Sequence, residues 1–279
     1  MKRLITLFTF AVTALSTLPC ASQTTFFSAW ENRVRTTSAQ QPGWAVPIIT
    51  SSSGIVQLVR PELTHSYTPT HFATVNYGNS KGFNFIPYYK TEVDVNLPPY
   101  IVHNNPKVRD GGGDFSMVAK YRLFSGNEKH GNYSTAFQVL WTLPTGSYKN
   151  GAAHAAFTPT FVGGKGFGIF DVQSSIGALL PVEGSNVTGR TIVWNTVAQC
   201  RLAKILWPEL EMNSSFYHSG PNDGKNQTFV TTGLMISKIK LRHDPKDRLA
   251  FIFGSGMQIA TSHYHAYNHA LVLTSRLTF

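Results

Sequence analysis

Residues of alternating character run through most of this chain. In the last twelve, Asn268 to Phe279, the side chains of Leu271, Leu273, Ser275, Leu277 and Phe279 fall on one side of an extended strand, and those of Val272, Thr274, Arg276 and Thr278 on the other, because successive strand residues point to opposite faces. The same period of two runs from Phe83 to Leu97, where Phe83, Phe85, Val93 and Val95 alternate with Asn84, Lys90, Glu92 and Asp94. Read as one strand, this stretch far exceeds the ordinary length of about five or six residues. Further alternating segments lie at 114–124, 133–143, 153–162, 167–180, 191–203, 206–217, 229–237 and 249–261, and two weaker strands are expected, one from the short apolar pieces 46–49 and 55–59 and one at 71–77. In the segment 191–203, Ile192, Trp194, Ala198, Cys200 and Leu202 oppose Asn195, Gln199 and Arg201.

Strands with one apolar face and one charge-bearing face suit a closed barrel with lipid outside and water inside; a strand crosses the bilayer in about 9–11 tilted residues. A soluble edge strand shows the same alternation singly, so the arrangement of the whole set matters. In bacterial barrels both termini are periplasmic, inner turns are short and outer loops longer. Counting back from Phe279 makes 262–267, 218–227, 181–190, 144–152 and 98–113 the outer loops, and 238–248, 204–205, 163–166, 125–132 and 78–82 the inner turns. Most inner turns are the shorter set. The expected fold is therefore all-β, a transmembrane antiparallel up-and-down barrel of twelve strands, or ten without the two weak ones. Trp141, Trp194 and Trp207 fall at strand ends, where amphipathic rings favour the membrane interfaces.

The chain's beginning is different. Lys2 and Arg3 precede an apolar run from Leu4 to Leu18, followed by Pro19-Cys20-Ala21-Ser22; a basic start, a run too short to span as a helix and a small-residue end read as a secretory signal peptide. This sets three regions: a signal peptide at 1–22, an irregular N-terminal segment at 23–70 and a barrel at 71–279. Within the second, Phe26 to Arg35 suits a turn or two of amphipathic helix, and Gln40-Gln41-Pro42-Gly43 breaks it. A periplasmic lead-in, a plug within the lumen and a weak first strand all fit this stretch. Removing Lys2 and Arg3 lowers the net charge from +10 to about +8 and leaves Cys200 as the lone thiol, so neither a disulfide framework nor a cysteine metal site is available. Basic residues are scattered without a run of five, which argues against nucleic acid.

Several ordered pieces of the chain resemble a known family. These are Gly113-Asp114-Phe115-Ser116 with Lys120-Tyr121-Arg122, Leu143-Pro144-Thr145-Gly146, Gly177-Ala178-Leu179-Leu180-Pro181, the stretch Asn195 to Arg201, Trp207-Pro208-Glu209-Leu210-Glu211-Met212-Asn213, and Gly254-Ser255-Gly256-Met257-Gln258. In order and spacing they resemble the transporter-like outer-membrane family associated with the meta-pathway of phenol degradation, over roughly residues 80 to 279. The resemblance implies an outer-membrane β-barrel of Gram-negative bacteria that passes small hydrophobic or aromatic solutes. The N-terminal third departs from that family's strand pattern.

Alternation places Lys90, Glu92, Asp94, Lys120, Arg122, Asp171, Arg201, Glu209, Glu211 and Arg276 on the inward face. Unpaired charges are costly in a narrow lumen, so these either tie the barrel together or form a polar constriction on the solute path, with Arg122, Arg201 and Arg276 the candidate lining cations. Arg201 and Glu209 straddle a short turn and are expected to pair across strands. His263, His265 and His269 share one outer loop without a nearby carboxylate or cysteine, and no metal or cofactor is expected. Ser262-His263 is the best stand-in for a nucleophile and base, well short of a triad. The function expected is passive uptake of small solutes, not catalysis. The rivals are a lipid-modifying barrel enzyme and a secreted soluble β-sandwich. The partners expected are outer-membrane lipid and lipopolysaccharide, the solute, and the barrel-assembly machinery through the strand ending at Phe279.

Overall fold

A computed structural model describes residues 20–242 and 248–279. A helix, α1 (Cys20–Ala39), is followed by an extended stretch of coil and then by strands only, apart from a single helical turn, α2 (Ser185–Thr188). Of the signal peptide expected at 1–22, residues 1–19 lie outside the described residues, and 20–22 are the first residues of α1.

Sixteen strand pieces make twelve staves. Eight staves are continuous: β9 (Tyr133–Leu143), β10 (Ala156–Phe167), β11 (Phe170–Pro181), β12 (Arg190–Cys200), β13 (Leu206–His218), β14 (Asn226–Lys240), β15 (Ala250–Ala260) and β16 (His269–Thr278). The first four are each interrupted once: β1 (Leu58–Val59) continues as β2 (Glu62–Tyr67), β3 (Ala73–Tyr77) as β4 (Gly82–Tyr88), β5 (Thr91–Asn96) as β6 (Tyr100–His103), and β7 (Gly111–Gly112) as β8 (Phe115–Gly126). Every pairing is antiparallel. The ring closes where β16 meets β1 below, with Thr278 opposite Leu58, and β2 above, with Leu273 opposite Leu63. Closure leaves no sheet edge, the condition for a strand structure in lipid.

The alternation sorts side chains as expected. On β16, Ala270, Val272, Thr274 and Arg276 are buried inward, and Leu271, Leu273 and Leu277 turn outward. Large apolar side chains such as Phe161, Ile176, Leu210, Phe253 and Ile259 stand exposed around the wall, a belt that a protein surrounded by water would not sustain. Trp141 and Trp194 belong to it. Trp207 does not: it is buried inside, packed with Ala45, Ile48 and Ile252, because its place in β13 shares the inward parity of Glu209 and Glu211.

Two expected turns fall inside staves. Residues 83–97 are a hairpin, β4 and β5 joined at Tyr89-Lys90, with Lys90 in the left-handed region at φ 63°; alternation continues across so short a turn, hiding it. The stretch 78–82 is instead an interruption within the stave β3–β4. Gly163-Gly164-Lys165-Gly166 lies within β10, and the turn follows at Gly168-Ile169. The stretch 23–70 is not wholly irregular, since it contains the twenty-residue α1 and the strands β1 and β2. With these shifts the count is twelve.

The four interruptions lie side by side, at Arg60-Pro61, Gly78–Lys81, Leu97–Pro99 and Gly113-Asp114. Bonds across the gap keep the wall closed: Arg60 N–H to Gly82 O at 2.8 Å, Gly78 N–H to Glu62 O at 2.7 Å and Gly113 N–H to Pro99 O at 2.7 Å. Pro61, Pro98 and Pro99 carry no N–H, so a break at these places orphans fewer donors. Gly82 allows the closest approach. A Cβ there would sit 2.2 Å from Val95 O.

Candidate functional site: the lumen and its internal segment

The coil from Gln40 to Gln57 runs inside the ring. It has no repeating pattern, so its backbone N–H and C=O groups find no ladder and need other partners. The inward charges of the wall supply them. Glu209 accepts Ile48 N–H at 3.0 Å, and the two oxygens of Glu211 accept Ile49 N–H at 2.8 Å and Thr50 N–H at 2.6 Å. Lys120 donates to the carbonyls of Ser52 and Gly54, both at 2.6 Å. Arg122 donates to Thr37 O and to Gln41 Oε1, both at 2.8 Å. Arg276 donates to the carbonyls of Val46 and Pro47, and Glu92 accepts Val56 N–H. Six of the charges expected on the inward face thus hold the internal segment.

The arrangement satisfies both sides. A buried unpaired charge or peptide group costs several kcal/mol in order of magnitude, and each is here the other's partner. Two ion pairs lie beside the segment: Lys120 with Glu92 at 3.6 Å, and Arg60 with Glu62 at 2.9 Å. Apolar contacts complete the seat. Ile48 packs with Trp207, Met235, Ile252 and Val272, and Ile55 packs with Val34 of α1 and Ile86 of β4.

Other expectations are corrected. Lys90 sits exposed at the β4–β5 turn, not in the lumen, because the residues expected to form one strand form a hairpin. Arg201 is also exposed; its guanidinium lies 5.8 Å from the Trp207 ring centre and does not pair with Glu209, whose second oxygen accepts Gln199 Nε2 at 2.6 Å. Asp94 accepts from Asn84 at 2.5 Å. Asp171 is buried beside Gln173 at 3.2 Å. Gln41, Gln173, Arg60 and Glu62 were missed as segment and wall contacts; Gln173 carried the inward parity as its only signal, while Gln41 carried none.

The segment divides the lumen. Above it is an outer vestibule of about 510 Å³, floored by Ile49 to Ser52 and lined by amides such as Asn76, Asn84 and Gln138 together with the charges Arg60, Lys81, Glu92, Asp94 and Lys120. Below it, between α1 and the wall, is an inner cavity of about 280 Å³. Val46 and Val56 line both.

At the outer loops the histidines do not gather: His265 bonds Asn268 Oδ1 at 2.9 Å, and His269 stacks on Tyr67 with centroids 4.8 Å apart. Among the described residues there is no cluster of metal-ligating groups. The Ser262 hydroxyl donates to Tyr264 O at 2.7 Å and accepts Thr228 N–H at 2.8 Å, so its proton is held by a backbone carbonyl and not by a base. Tyr267 of the same loop, stacked on Phe229 of β14, has its phenol pushed up to about 12 by burial and then by the neighbouring Tyr217.

These features define a closed transmembrane-type β-barrel with an internal segment. Among solved structures, the chain is similar to the COG4313 outer membrane channel from Pseudomonas putida F1, with a TM-score of 0.52, 13% identity, and coverage of 80% of this chain and 96% of that one. It is also similar to the NanC porin, with a TM-score of 0.50, 7% identity, and coverage of 78% of this chain and 98% of that one. At such identities the likeness is one of fold. No family model matches the chain, and no curated protein matches it.

Proposed function

We propose that this chain is an outer-membrane channel for small organic solutes, in which the segment 40–57 divides the path. The observation that carries the reading is the thin partition: two cavities on opposite sides of the segment share Val46 and Val56 as their wall. The exposed apolar belt and the fold of the two similar barrels support the membrane setting. The hydrophobic or aromatic solutes implied by the resemblance to the phenol-associated family would meet a vestibule of amides and mixed charges first and an apolar-floored cavity second. That order suits compounds carrying a polar group on an apolar body. Export by the N-terminal signal, assembly through β16 ending at Phe279, and lipopolysaccharide around the outer rim belong to the same proposal.

The test is conductance and solute flux in reconstituted bilayers with Val46→Gly and Val56→Gly together. Opening the partition without touching the charged clamps is expected to raise both. A correctly folded double variant with unchanged conductance and flux would overturn the reading.

A further inference from the structure

β14 departs from regular alternation at one place. Ile236 lies opposite Phe253 and Ile239 opposite Phe251, so Ser237 and Lys238 share the single position facing Ile252, a buried inward residue. Strict alternation would carry Lys238 to the lipid side. The two-against-one bulge turns it to the inner cavity, which it lines, with its backbone at φ 58°. A left-handed lysine is uncommon, and bulges re-aim side chains near functional places. Its ammonium makes no hydrogen bond or ion pair within contact distance among the described residues; the charges around it are Arg248, Glu128 and Arg201, and Glu128 already accepts Gly43 N–H at 3.0 Å.

The rest of the cavity has two characters. Arg35, Lys240 and Arg248 join Lys238 in its lining, with no carboxylate among the described lining residues, while Trp44, Leu58 and Ile252 form an apolar floor. A volume of about 280 Å³ lies at the lower end of ligand-site sizes of about 300–1,000 Å³ and is too small for a two-chain lipid. We propose that this cavity binds a small amphiphilic carboxylate, its apolar body against Trp44 and Ile252 and its carboxylate on Lys238 and Arg248. The proposal rests on the channel reading in that it names the class of solute held at the inner end of the path.

The experiment uses the full chain in lipid nanodiscs, with 8-bromooctanoate as a heavy-atom quencher of tryptophan fluorescence and 8-bromooctanol as its neutral counterpart. The Trp44→Phe variant isolates the Trp44 signal from quenching of the lipid-facing Trp141 and Trp194. Saturable quenching of Trp44 by the carboxylate is expected. Lys238→Gln should weaken it about tenfold, the scale of one lost charge-assisted bond, and Lys238→Arg should restore it. Equal quenching by the alcohol, or an unchanged affinity in folded Lys238→Gln, would overturn the site and leave only an apolar crevice. If Lys238→Gln fails to fold, the comparison of acid with alcohol decides alone. A conducting barrel without acid-selective quenching sinks this site but not the channel, whereas selective quenching in a barrel that conducts nothing sinks the channel but not the site.

Discussion

Glu211 of β13 holds Thr50 of the internal segment: one carboxylate oxygen accepts the Thr50 N–H at 2.6 Å, while the other accepts that of Ile49 at 2.8 Å. Two peptide groups with no ladder partner are thereby satisfied by a single wall residue. Glu211→Gln keeps the shape but turns an NH₂ toward one N–H. The loss of about 1–3 kcal/mol for an unmet buried donor is expected to loosen the segment and raise open probability in single-channel recording. An unchanged closed time would show that Glu211 is not a clamp.

Arg276 and Arg201 should behave differently, although alternation alone treats them alike. Arg276 is fully buried and bonds the carbonyls of Val46 and Pro47, whereas Arg201 is exposed over Trp207. Arg276→Gln should raise conductance and lower the thermal midpoint. Arg201→Gln should alter both only slightly, and equal effects would contradict the placement.

Ile48 fits against two inward glycines. A Cβ at Gly233 would lie 2.5 Å from Ile48 Cδ1, and one at Gly256 would lie 3.1 Å from it. Ile48→Ala alone should cost about 2–5 kcal/mol, the range for a buried large-to-small change. Gly233→Ala alone should push the segment, and the two together should cost less than their sum. Strictly additive denaturation midpoints would show that the contact does not matter.

The hairpin at Tyr89-Lys90 and the loop between β9 and β10 that carries Lys149 lie at opposite ends of the barrel; the proposed outer-membrane channel puts the first at the periplasmic rim and the second outside. In a Cys200→Ser background, a membrane-impermeant maleimide applied to intact cells should label Lys149→Cys. It should reach Lys90→Cys only after the outer membrane is opened. Labelling of both in intact cells would reject the register of β4 and β5.

Tyr267 predicts a response to alkali. Its folded pKa of about 12 exceeds the ordinary 10, so burial favours the neutral phenol. The stabilisation it contributes to the loop 261–268 is fully present below pH 10 and is lost as pH rises toward 12. Tyrosinate absorbance minus that of Tyr267→Phe should show one late titration in this window. Titration at pH 10 would mean the phenol is not buried.

Much of the wall was legible beforehand. A period of two with lipid on one side leaves little choice, since a slip by one residue would put Arg276 into lipid and Leu277 into the lumen. The inward charges Glu92, Lys120, Arg122, Glu209, Glu211 and Arg276 follow from that constraint, whereas the count of twelve agrees only because two shifts compensate: the weak strand expected within 46–59 is internal coil up to Gln57, and 83–97 supplies parts of two staves. Turn positions were less legible: Gly163-Gly164 reads as a break but lies in β10, and Tyr89-Lys90 reads as strand but is a turn. Local preference is weak against the pairing of whole strands.

What those charges act on was decided only by the tertiary structure. The segment 40–57 has no period, so nothing local sets its path; its conformation follows from partners as far away as Gln173, Glu211 and Arg276. Sequence alone determined which side chains must avoid lipid, because alternation and the cost of burying charge are local facts. That these charges clamp an internal chain and that Lys238 faces a cavity depend on ring closure and on one bulge, which bring distant residues within a few ångströms.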